Sequence, residues 1–133
     1  MTVAATKENW TLVMEAIEEL LDSVNCPIKS KFQILTAAEE IYVNIASYAY
    51  GDKTGEADID FSYDEATKIF SISFVDSGVP YNPLEKEDAD ITLSAEERRI
   101  GGLGILMVKK SMDDIKYEYS DSKNHLVLIK KCG

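Results

Sequence analysis

Glu40 and Asn44 stand four residues apart in the stretch A-A-E-E-I-Y-V-N-I-A-S-Y-A-Y, residues 37–50. At about 100° per residue both side chains fall on one helical stripe, away from the apolar face of Leu35, Ala38, Tyr42, Ile45 and Ala49. A divalent ion such as Mg²⁺ takes oxygen ligands and keeps several waters, so one carboxamide oxygen with phosphate oxygens makes a sufficient site. A carboxylate one turn away can accept a proton from an attacking hydroxyl or water. Glu39 points about 100° away from that stripe, which leaves Glu40 as the candidate base. Alone, such a pair is more often plain solvated helix surface.

Two further patterns follow along the chain. In D-S-G-V-P-Y-N-P, residues 76–83, Asp76 can accept a hydrogen bond from an exocyclic amine such as that of adenine. Gly78 permits close approach of backbone to a flat base. The same D-x-G is also an ordinary turn. Farther on, Gly101-Gly102-Leu103-Gly104 opens a helix, where successive backbone N–H groups and the helix N-terminus can converge on an anion. Arg98 and Arg99 lie just upstream, within reach of phosphate oxygens.

The elements that must position these groups are read from periodicity. Thr2 to Ala5 reads as a short edge strand. Trp10, Val13, Ile17, Leu20 and Val24 recur at helical spacing, and Asn25-Cys26-Pro27 ends that helix. A second helix starts at Lys29 or Ser30 and runs to about Tyr50, closed by Gly51. The period then changes to two. Ile59, Phe61 and Tyr63 alternate with polar residues, as do Phe70, Ile72 and Phe74, with a hairpin turn at 64–67. Residues 84–99 are mostly polar and acidic and read as a long connection; loops of that length usually act as lids or binding loops. The lid is placed at about 79–101. A helix from Ile105 to Met112 and strands at 115–119 and 125–130, joined by a turn at 121–124, complete the chain. Helices on one face of a mixed, mostly antiparallel sheet make an α+β, two-layer α/β sandwich, expected here as one domain over residues 1–133.

Composition narrows the function. A net charge of −10 argues against a nucleic-acid partner and suits a basic protein partner. No apolar run approaches the ~18 residues of a membrane span, and the first ten residues lack the pattern of a secretory signal. The expected location is the cytoplasm, with Cys26 and Cys132 as reduced thiols.

In this order and spacing, E-x-x-x-N on a helix, D-x-G after a strand and a polar lid ending in G-x-G resemble the GHKL (Bergerat-fold, histidine kinase-like) ATPases. The local text is similar to the anti-sigma-factor serine/threonine kinases, the RsbW-like group. It matches at D-S-G-V-P-Y-N-P-L (76–84), E-R-R-I-G-G-L-G-I (97–105), S-M-D-D-I (111–115) and N-H-L-V-L-I-K (124–130). The resemblance covers residue 30 to the end.

The resemblance implies ATP and Mg²⁺ as ligands, with Glu40 the catalytic base and Asn44 the metal ligand. Asp76 would hold the adenine amino group above Gly78; Gly102, Leu103 and Gly104 would meet the phosphates, assisted by Arg98. It further implies phosphorylation of a serine or threonine on a STAS-type anti-anti-sigma protein, a sigma factor held in the ATP-bound state, and a homodimer. Three positions depart from the wider pattern. Pro80 replaces the second glycine of D-x-G-x-G, as in the subgroup, and Tyr48 stands where some relatives have histidine. Val127 and Ile129 replace hydroxyl residues of the last strand, which on this reading removes a polar contact near the nucleotide. Retention of Glu40 favours phosphotransfer; the absent hydroxyls favour an ATP-gated binding module without transfer. The ATPase half of a sensor histidine kinase fits poorly, because the sole histidine, His125, lies in the last strand or its turn.

Overall fold

The computed structural model describes residues 1–85 and 103–133. Strand β1 (Thr2–Ala4) leads through a 3₁₀ turn (Lys7–Asn9) into helix α1 (Trp10–Ser23). Helix α2 (Ile28–Asn44) follows and continues as a π-helical turn over Ile45–Ala49. Strands β2 (Glu56–Asp64) and β3 (Ile69–Asp76) form a hairpin. After a 3₁₀ turn at Pro83–Glu85 come α3 (Leu103–Ser111), β4 (Asp114–Ser120) and β5 (Lys123–Lys131). The sheet order is β1-β2-β3-β5-β4, and every pairing among the described residues is antiparallel. The α+β class and the two layers therefore stand, with an antiparallel sheet.

Alternation along the strands decides which face meets the helices. Ile59 on β2, Phe70, Ile72 and Phe74 on β3, and Leu126 and Leu128 on β5 are buried, and they pair across the strands as Ile59–Phe74–Leu126 and Ile72–Leu128. Val13, Ile17 and Leu21 of α1 and Ile34, Ala38, Ile41 and Tyr42 of α2 complete one core. Helix α2 occupies the middle, packed between α1 and α3 and over β3 and β5.

The helix ends have local causes. Asn25 adopts a left-handed conformation, φ 56°, and its N–H bonds Asp22 O at 3.2 Å while Cys26 N–H bonds Leu21 O at 3.0 Å. That pair of bonds is a Schellman motif, which closes α1 just before Pro27. Pro27 then sits immediately ahead of α2, so the helix begins at Ile28, slightly earlier than expected. At the other end of α2 the expected regular helix to Tyr50 widens to π geometry after Asn44. Gly51, at φ 58°, ends it as expected. At the end of α3, Lys130 Nζ bonds the carbonyl of Ser111 at 2.9 Å, satisfying one of the helix's unpaired acceptors.

Tyr42 joins the layers. It is fully buried, its ring lies 5.7 Å from that of Trp10, and its hydroxyl donates to Thr6 O at 2.6 Å and Ala4 O at 3.3 Å. The middle helix thus holds the segment that connects the edge strand to α1. Both cysteines are free thiols; burial first, then the neighbouring Cys26, pushes the Cys132 thiol up to about 12, so it stays protonated and inert at neutral pH. Replacing Tyr42 by Phe keeps the ring and removes only the hydroxyl. We expect a loss of about 1 kcal/mol in urea unfolding, with the earliest loss of amide protection in residues 2–6 by hydrogen exchange.

Candidate functional site

The sheet's core face carries apolar residues along β3 at 70, 72 and 74, and the next position in that series is Asp76. Asp76 is only 6% exposed, at the end of the strand where the chain leaves the sheet. A carboxylate at that depth needs partners. Its Oδ1 accepts the Gly78 N–H at 2.9 Å and the Asn124 side-chain amide at 3.0 Å. Both bonds fall on Oδ1, so Oδ2 retains its capacity to accept.

Asn124 is the partner that the sequence reading missed. It was assigned to the turn before β5, yet it faces Asp76 across the β3–β5 ladder and is equally buried. The turn is tighter than expected: Ser120 pairs with Lys123, and Asp121 and Ser122 carry it alone at φ 53° and 61°. Asn124 Nδ2 also donates to Val79 O at 2.9 Å, and its Oδ1 accepts Tyr81 N–H at 3.1 Å and the Tyr117 hydroxyl. One carboxamide therefore anchors the whole turn after β3. The series 124, 126, 128 along β5 was the signal that could have found it.

Gly78 answers to a constraint of the fold itself. A Cβ there would lie 2.2 Å from the Ala49 carbonyl oxygen, and the next residue, Val79, donates its N–H to that same oxygen at 2.9 Å. The close approach is made by the end of α2. Tyr50 adds a second link, accepting Ser77 N–H at 2.9 Å and donating to Glu56 O at 2.5 Å.

Between the end of α2, the turn after β3 and strands β4 and β5 lies a cleft of ≈ 210 Å³. Ile45, Phe74, Val79 and Leu126 give it apolar walls; Asp76 and Asn44 are among its few polar groups. Apolar walls with a few placed polar atoms are the usual make-up of a small-molecule site. Asn44 Nδ2 is buried without a hydrogen-bond partner among the described residues. An unsatisfied buried amide costs about 1–3 kcal/mol, and because an amide can flip its O and N, the same group can offer oxygen to a cation.

Glu40 lies elsewhere. It lines a second groove, ≈ 330 Å³, between α2 and α3. A Cβ at Gly104 would sit 2.0 Å from Glu40 Oε1, so the carboxylate fills the space a side chain at 104 would take. The stripe of Glu40 and Asn44 is half-buried rather than solvated. Burial raises the Glu40 carboxyl above the ordinary value of 4.5; Asn44 pulls the other way without reaching hydrogen-bond geometry, and the charge of Glu39 adds to the rise. A carboxylate of raised basicity is better matched to proton abstraction than an ordinary one. Glu39 itself is exposed.

The expected site residues thus divide. Asn44 and Asp76 share the cleft, with Gly78 in the turn beneath it; Glu40 and Gly104 meet in the groove on the α3 side of the same helix. Leu103 is the first residue of α3. Arg98, Arg99, Gly101, Gly102 and most of the expected lid lie outside the described residues. Tyr48 is 55% exposed and lines the cleft. Val127 and Ile129 correct an expectation. They pair with Ser73 and Ser71 on the sheet face away from the helices, so they remove no contact from the cleft. The polar neighbour of Asp76 is Asn124.

Residues 3–130 match the family described as the histidine kinase-like ATPase domain. The chain is also similar to the serine/threonine-protein kinase BtrW of Bordetella bronchiseptica, 26% identical over 98 residues that cover 74% of this chain and 68% of that protein. Among the described residues no helix is long and apolar enough to cross a membrane.

The two glycines separate fold from chemistry. Gly78→Ala drives a Cβ into backbone and should cost about 1–3 kcal/mol in denaturant unfolding. Gly104→Ala meets only the tip of a flexible side chain and gains helix propensity, so stability should hold or rise by up to about 1 kcal/mol while Glu40 is displaced. Glu40 also carries a pH signature. Its raised pKa means that the fold favours the protonated acid; that contribution is complete below 4.5 and is lost as pH climbs through the raised value. Glu40→Gln should therefore melt above the wild type at pH 7–8, and thermal scans should show the gap closing by about pH 4.

Proposed function

The chain belongs to the histidine kinase-like ATPase family, and from that premise we propose that it transfers the γ-phosphate of ATP to a serine or threonine of a protein partner. The observation that carries the nucleotide part is Asp76. Held through Oδ1 at the edge of an apolar cleft, it offers Oδ2 to the exocyclic amine of adenine, while Phe74, Ile45 and Leu126 accept the flat ring. Asn44 is suited to hold Mg²⁺, which when bound neutralises phosphate charge; its unpartnered amide in the cleft wall fits that role.

Glu40 supports transfer over mere binding. As the acceptor hydroxyl oxygen forms its bond to the γ-phosphorus, its proton passes to the Glu40 carboxylate, and the bond to the β-phosphate oxygen breaks to release ADP. Burial keeps that carboxylate basic enough to take the proton. The similarity to BtrW supports the serine/threonine class of acceptor. A STAS-type antagonist as acceptor, a sigma factor held in the ATP-bound state, a homodimer and a cytoplasmic location belong to the same reading. So do phosphate contacts from Gly102, Leu103, Gly104 and Arg98.

Two variants test the division of labour. Asp76→Asn keeps an Oδ1 acceptor for Gly78 and Asn124 but places an amide where Oδ2 stood, so ATP affinity by calorimetry with Mg²⁺ should fall at least about tenfold. Glu40→Gln should bind ATP as the wild type does and lose labelling of STAS-type proteins from the same cell by about 10²-fold or more. Equal labelling by the wild type and Glu40→Gln rejects the base; a wild type that binds no adenine nucleotide rejects the whole proposal.

A further inference from the structure

The position of Glu40 bears on where a protein substrate must approach. The cleft that holds Asp76 and Asn44 and the groove that holds Glu40 lie on different flanks of α2. On the phosphotransfer reading, nucleotide entering the first brings its γ-phosphate to the Glu40–Gly104 contact, and the groove beyond that contact is left to the acceptor. Glu40 packs on Gly104 in this groove, and the lining residues of both helices run away from that contact. On α3, Met107 lies three residues on and Lys110 six, about 4.5 Å and 9 Å along the axis. On α2, Phe32 lies eight residues back, about 12 Å.

Phe32 is 69% exposed and Met107 59%, and Ile28, one turn before Phe32, is 87% exposed. Large apolar side chains left open beside a groove mark an interaction surface. The charges along it are ordered: a carboxylate at the Gly104 contact and the ammonium of Lys110 farther out, on a chain whose net charge is −10. An extended peptide advances about 3.3 Å per residue, so about three residues span the distance from the Gly104 contact to Lys110.

We propose that this groove seats an extended segment of the protein substrate, with its serine or threonine hydroxyl at Glu40. An apolar side chain of that segment packs against Phe32 and Met107, and an acidic side chain about three residues from the hydroxyl pairs with Lys110. This deepens the phosphotransfer reading and rests on it. The acidic requirement sets the segment apart from a merely exposed serine: the enzyme's overall negative charge repels acidic surfaces, and Lys110 supplies the local exception.

The experiment measures phosphotransfer from labelled ATP to the STAS-type protein that the wild type labels, with Phe32→Ala and Lys110→Glu beside it. Each variant should raise KM for the protein substrate about tenfold or more, with ATP affinity and melting temperature unchanged. Reversing the acidic residue in the acceptor segment to lysine should restore Lys110→Glu. KM values within about twofold of wild type in both variants overturn the groove and leave the kinase reading standing. A changed oligomeric state with unchanged KM assigns this face to a second copy of the chain and overturns it too. No labelling by the wild type removes the kinase reading, and the groove's role falls with it.

Discussion

Asp76 and Asn124 face each other across β3 and β5 at a depth where a lone carboxylate would be strongly disfavoured. The bond between them does more than satisfy both. Asn124 spends its remaining capacity on Val79, Tyr81 and Tyr117, so one side chain fixes the turn after β3 to two strands. That turn in turn meets the end of α2 at Ala49. Sheet, turn and helix are thereby held in register around one carboxylate oxygen that has no partner among the described residues. Removing any link loosens the same atom.

Helix α2 then acts as a partition. Its residues toward β3 and β5 line an apolar cleft, and its residues toward α3 line a groove with a half-buried acid. Asn44 and Glu40, one helical turn apart on the same stripe, stand where the two openings adjoin. Phosphoryl transfer demands little covalent work from a protein and much positioning, with donor and acceptor brought into line from opposite sides. A rigid helix that presents an amide and an acid one turn apart, where two openings adjoin, is a simple way to meet that demand. The widened turn after Asn44 sits where such local departures from α geometry often accompany function.

Much of this was legible in the sequence because it depends on period and order. Alternation at 59–63 and 70–74 placed the hairpin, helical spacing placed α1 and most of α2, and the order of Glu40, Asn44, Asp76 and Gly104 pointed to the family. What was hidden depends on contacts between distant segments. The Asp121–Ser122 turn has left-handed backbone without glycine, so nothing local marked the register that carries Asn124 to Asp76. The half-burial of Glu40 requires α3, which returns only after a long stretch of chain. Gly78 reads from the sequence as a close approach to a base, and the close approach of the Ala49 carbonyl could not be read there. A glycine reports that something comes close without saying what.

The two glycines also differ in what would preserve them through descent. Gly78 is required by any chain that closes α2 against this turn, whether or not it acts on anything. Gly104 lies in the first turn of α3, where alanine has the higher helix propensity, and the space a side chain would take there is filled by the Glu40 carboxylate. Drift toward stability alone would replace it. Under the proposed phosphotransfer, a chain that gave up both the acid and the phosphate contact at this position would be free to gain a methyl group there.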